Sequence, residues 1–70
     1  MSQLFHVRSL PINSLFRDGD FIYQILCTED EGISFSVKVL AEFKIQNWFP
    51  LEKDRFTVFS GNRLVNINLG

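Results

Sequence analysis

Seventy residues, 46% hydrophobic and 21% charged with a net charge of −1, make one folded domain over residues 1–70 and exclude both a second domain and a disordered chain. Seven Lys+Arg against eight Asp+Glu supply no overall basic field to draw in a polyanion. Cys27 is the only cysteine, so no internal disulfide forms, and with His6 as the only histidine the ligand set of a structural zinc is incomplete.

The apolar residues alternate through most of the chain, the pattern of half-buried strands, and the sequence reads as all-β. The first strand is expected over residues 4–10, with Phe5 and Val7 on one face, His6 and Arg8 on the other, and Pro11 ending it. Residues 11–20 read as a loop in which Ile12, Leu15 and Phe16 form one helical or 3₁₀ turn. Arg17-Asp18-Gly19-Asp20 is a tight turn, with Gly19 free to take positive φ. The second strand follows over 21–28. Phe21, Tyr23, Ile25 and Cys27 share one face, while Ile22 and Leu26 make the other apolar, so both sides are expected to be covered.

After the polar tip Glu29-Asp30-Glu31-Gly32 comes the clearest pattern in the chain, with Ile33, Phe35, Val37, Val39, Ala41, Phe43 and Ile45 in strict alternation with mostly polar neighbours. Thirteen extended residues would span about 43 Å, too long for so small a domain, and a bend or break is expected near Val39 to Glu42. A helix over 37–48 competes, since Val37, Leu40, Ala41, Lys44, Ile45 and Trp48 fit i, i+3, i+4 spacing. The β-branched and aromatic content favours the strand. Trp48-Phe49-Pro50-Leu51 then leaves the sheet, Glu52-Lys53-Asp54 turns in solvent, and residues 55–59 form another strand. Gly61-Asn62 sits where a hairpin with positive φ at both central residues is expected, and residues 64–69 close the fold.

Little in the chain carries chemistry. No strained nucleophile turn and no Gly-rich phosphate loop occurs, and neither Asp18 with Asp20 nor Glu29-Asp30-Glu31 has the ligand spacing of a calcium loop. His6 reads as a surface histidine and Cys27 as a packing residue among Phe21, Tyr23 and Ile25. The expectation is a protein that is not an enzyme and uses no cofactor or metal. The N-terminal MSQLFHVRSL lacks a charged start and long apolar run, and no stretch approaches about 18 apolar residues, so a soluble cytoplasmic protein without membrane association is expected.

Eight Phe with Trp48 and Tyr23 are more ring surface than so small a core holds, and an apolar patch covered by a second chain is expected. Trp48, Phe49 and Leu51, where a large apolar cluster meets a proline, with Leu40 and Ile22, are the candidate partner-binding residues. The competing candidate is a single-stranded nucleic-acid surface, with Lys38 and Lys44 on one polar face and Arg55 and Arg63 near the last hairpin, beside Trp48. The acidic Glu42, Glu52 and Asp54 interleaved among them disfavour it.

Two segments, residues 15–23 (Leu-Phe-Arg-Asp-Gly-Asp-Phe-Ile-Tyr) and Trp48-Phe49-Pro50 through Asp54 to Phe59, resemble the turn-and-strand entries of small SH3-like β-barrel proteins of bacteria and phages. The resemblance implies a five- to six-stranded barrel or a strongly bent antiparallel sheet. Such barrels serve as adaptors, inhibitors or subunits as often as they bind nucleic acid. The expected role is therefore a protein-interaction module or small accessory subunit, a homo-oligomer held by aromatic and strand-edge contacts.

Overall fold

The computed structural model describes residues 3–69. The alternating stretch becomes strand β4 (Ser34–Lys44), which removes the helical reading of residues 37–48. Around it lie β1 (Leu4–His6), β2 (Leu15–Asp18), β3 (Phe21–Glu29), β5 (Asn47–Pro50), β6 (Phe56–Ser60) and β7 (Leu64–Asn66), with 3₁₀ turns at Val7–Ser9 and Asp30–Gly32. All pairings are antiparallel in the order β1-β7-β2-β3-β4-β5. Strand β4 has β3 along one side and divides its other side between β6, opposite Ser34 to Lys38, and β5, opposite Ala41 to Lys44.

The sheet is open and has seven strands, so of the two expected forms it is a bent antiparallel sheet and not a closed five- to six-stranded barrel. The first strand ends at His6 rather than Leu10, and the chain turns through Val7–Ser9 to donate from Val7 N–H to Arg63 C=O and from Arg8 N–H to Gly61 C=O, each at 3.0 Å. These bonds tie β1 to the turn after β6 without making the ladder that closure requires. The 3₁₀ turn expected at Ile12 to Phe16 is therefore displaced to Val7–Ser9, and Leu15 and Phe16 instead enter β2. Val7, Phe16, Ile25, Phe35, Val37 and Val65 form the buried cluster, with Leu10, Tyr23 and Phe59 packed against it. Phe16 stacks on Tyr23 at 5.3 Å and meets Phe59 edge-on at 5.2 Å, the arrangements aromatic quadrupoles favour. The extents of 38 × 33 × 15 Å leave room along the thin axis for one apolar layer.

Two register shifts decide which way side chains point. Ile22 faces Ala41 but Tyr23 faces Val39, so β4 carries one extra residue, Leu40, and its alternation reverses there. The bend expected near Val39 to Glu42 is this bulge within an unbroken strand. Farther along, Ile25 faces Val37 but Cys27 faces Ser36, which makes Leu26 the extra residue on β3. That reversal corrects the common face expected for Phe21, Tyr23, Ile25 and Cys27: the thiol is turned out and exposed, and Cys27 is not a packing residue. Cover on both sides of β3 is also incomplete, since only Ile25 is fully buried along it.

The turns follow from backbone geometry more than from composition. Gly19, at φ 63, closes the β2–β3 hairpin as expected, and Asp30, Glu31 and Gly32 at φ 51, 58 and 90 turn the polar tip. Ile45 and Gln46, at φ 48 and 63, form the two-residue loop between β4 and β5, so Trp48-Phe49-Pro50 stays in the sheet rather than leaving it. A β-branched residue at positive φ is strained by about 1–2 kcal/mol. Replacing Ile45-Gln46 with Asn-Gly is expected to stabilise the protein by about 1–2 kcal/mol, read as a higher urea midpoint at unchanged slope. An unchanged or lower midpoint would count against this turn geometry.

Neither Gly61 nor Asn62 takes positive φ. A turn does form, with Arg63 N–H donating to Ser60 C=O at 3.0 Å, but it is not the expected hairpin: β6 pairs β4, while β7 crosses to β1 and β2. The last strand ends at Asn66, short of the expected Leu69, and Ile67 is exposed.

Candidate functional site

The end of the sheet beyond the Leu40 bulge has two faces with different chemistry. On one, Arg17, Ile22, Ala41, Phe43 and Trp48 face the same way through the pairings Arg17 with Ile22, Ile22 with Ala41 and Phe43 with Trp48. The Arg17 guanidinium lies 5.5 Å from the Phe43 ring centre and 5.1 Å from that of Trp48, and the two rings are 5.1 Å apart. Cation–π attraction holds such a pile at about 0.5–1 kcal/mol per exposed contact. Arg17 thereby covers the ring faces that a base or a partner would stack on.

The other face continues the core layer outward. Phe21 pairs Glu42 and Glu42 pairs Phe49, while Leu51 N–H donates to Leu40 C=O at 3.0 Å and carries the strand one residue further. Phe49, Pro50, Leu51, Arg55, Glu42 and Lys44 line an open groove of about 900 Å³. Phe49 is 45% exposed and Leu51 half-buried. Arg55 places its guanidinium 5.5 Å from the Phe21 ring at the inner end. Tyr23, deeper in the same layer, has its phenol pKa raised, first by burial and then by the Asp18 carboxylate.

The expected partner-binding residues are therefore divided. Trp48 and Ile22 lie on the Arg17 face, Phe49 and Leu51 line the groove, and Leu40 occupies the bulge between them. Because β5 is a strand, its neighbouring Trp48 and Phe49 must point to opposite sides.

The four expected nucleic-acid cations are likewise separated. Lys38 and Lys44 would share a face on a regular strand, but the bulge sends them to opposite sides. Lys38 pairs with Asp54 at 3.3 Å, Lys44 with Glu42 at 2.9 Å, and Arg63 with Asp18 at 2.9 Å. Each carboxylate cancels the field its cation would offer a phosphate. Arg55 joins the groove instead, and among the described residues no continuous basic track runs beside Trp48.

The pairing pattern shows a feature that the sequence did not signal, the unguarded edge of β6. Val39 N–H donates to Arg55 C=O at 2.8 Å and Gly61 N–H to Ile33 C=O at 2.7 Å. In register with these, Thr57 and Phe59 bond β4, and antiparallel alternation turns the main-chain groups of Phe56 and Val58 away from the sheet. Phe56 and Val58 side chains are 58% and 56% exposed. Their backbone N–H and C=O groups make no bond within the described residues. His6 is exposed on β1, as expected, and its C=O accepts from Ser9 Oγ at 2.7 Å.

Among the described residues no group of three His, Cys, Asp or Glu side chains is placed to hold a metal ion, and no helix is long and apolar enough to cross a membrane. Comparison with protein-family models, with curated proteins and with solved structures finds no match to this chain.

Proposed function

We propose that this chain is a non-enzymatic protein-interaction module, or a small accessory subunit, that self-associates through aromatic and strand-edge contacts. The observation that carries the reading is the imbalance of its apolar surface. Among the described residues seven hydrophobic side chains are buried, whereas ten large ones, including Phe49, Phe56, Val58 and Ile45, are exposed. The accessible surface, 4949 Å², exceeds the roughly 4,500 Å² of a compact monomer of this mass. So much exposed apolar surface on a small sheet is the kind of surface that partners cover.

A single-stranded nucleic-acid role has less support, since three of its four cations are ion-paired and Arg17 occupies the faces of Phe43 and Trp48. The test is sedimentation equilibrium of the intact chain over micromolar to millimolar concentration, with binding of a hydrophobic dye measured alongside. Mass above 8.2 kDa that rises with concentration is the expected result. A monomer throughout that leaves the dye dark would defeat the proposal.

A further inference from the structure

The open strands of the sheet differ in how they are protected, and the difference selects one of them. On β1, three residues long, the outward C=O of His6 is taken by Ser9 Oγ. On β5 the alternation set by the Leu51-to-Leu40 bond turns Trp48 and Pro50 outward, and proline has no N–H to offer. The overhang of β3 past Ile25 carries a bulge and ends in the charge of Glu29. Strand β6 has none of these guards. Phe56–Ser60 contains no proline, charge or bulge, and its outward N–H and C=O pairs at Phe56 and Val58 meet no partner among the described residues. Edges left this way pair with other strands.

We infer that β6 pairs antiparallel with β6 of a second copy, Phe56 opposite Val58 and Thr57 opposite Thr57, to make one continuous sheet across a two-fold axis. This deepens the association reading above and rests on it. A two-fold interface must be self-complementary, and this register is: each Phe56 exchanges both main-chain bonds with Val58 of the other copy, giving about four new hydrogen bonds. The same register sets the exposed Phe56 and Val58 side chains against each other twice on one face. Shifting it by two residues, so that outward main-chain groups still meet, would place Phe56 against Ser60, whose C=O is already held by Arg63 N–H. Charge is compatible as well. Arg55 comes opposite Phe59 and Asp54 opposite Ser60, so no like charges meet. Five residues of edge bury less than the roughly 1,200 Å² of a tight complex, and a dimer that dissociates at micromolar concentration follows.

The experiment uses the full chain and two variants. Val58→Pro deletes an outward N–H without touching the bonds to β4, so it keeps the monomer folded, whereas Val58→Lys sets a charge against each Phe56 ring of the other copy, with the two added charges diagonal across the axis. Sedimentation equilibrium is expected to show the wild type moving from 8.2 kDa toward twice that mass. Both variants should raise the dimer dissociation constant at least about tenfold while circular dichroism remains that of a folded β protein. Dimerisation undiminished in both variants, but lost in Phe49→Asp, would overturn β6 pairing and leave the association reading standing through the groove. A wild type that stays at 8.2 kDa to about 1 mM would overturn both.

Discussion

Phe16→Ala is expected to destabilise the protein by about 3–5 kcal/mol, enough to unfold much of the population at 25 °C. Phe16 is fully buried and packs against two other rings of the core layer, Tyr23 and Phe59. Truncation leaves a cavity in a layer one side chain thick, where little else can move in to fill it. A chain of this length has a total stability of only about 3.5–10 kcal/mol. Phe56→Ala is the matched control. At 58% exposure it is expected to change monomer stability by no more than about 0.5 kcal/mol. Urea unfolding followed by far-ultraviolet circular dichroism, at concentrations where the protein is monomeric, compares the two. Equal losses would mean that the core has been misplaced.

Gly61→Val is expected to cost about 3 kcal/mol, and Gly61→Ala about 1 kcal/mol. Gly61 is buried where three segments meet, and a Cβ there would lie 3.1 Å from Phe35 Cε1, 3.2 Å from Arg8 Cβ and 3.2 Å from the Gly32 carbonyl oxygen. The ring can shift, but the carbonyl is held by its own turn. Because φ is not positive at Gly61, alanine regains part of its steric cost by restricting the unfolded chain. Valine adds two methyl groups to a space that does not admit one. Its effect should also weaken the Arg8-to-Gly61 and Gly61-to-Ile33 bonds, at 3.0 and 2.7 Å. Thermal unfolding of the three proteins supplies the measurement, and a valine variant as stable as the wild type would refute the close approach.

What the residue pattern disclosed and what it concealed separate along physical lines. The long alternation identified β4, the run from Phe21 identified β3, and Gly19 identified a turn, because each signal is local. Strand β2 was concealed because Leu15 and Phe16 are adjacent apolar residues beside a turn, and only the neighbours β3 and β7 make them extended. The β4–β5 hairpin was concealed because Ile45-Gln46 has none of the turn chemistry its positive φ favours. Gly61-Asn62 misled in the other direction: the glycine is required by crowding, not by dihedral angle. The candidate partner residues were assigned as one cluster because sequence proximity hides alternation, and the bulges at Leu40 and Leu26 reverse facing in a way set only by the opposing strand. The free edge of β6 is a property of pairing and leaves no mark on residues 56–60 themselves.

Strand β4 is bordered on one flank by a single long neighbour and on the other by two short ones that do not bond to each other. Such a seam lets the fold loosen in portions. The Ile45–Gln46 hairpin can peel from its half of β4 while the Phe16, Phe35 and Phe59 layer stays shut, and detaching β6 would instead strip that layer of one of its rings. The two flaps are thus unequal: one opens at the cost of surface contacts, the other only by breaching the core.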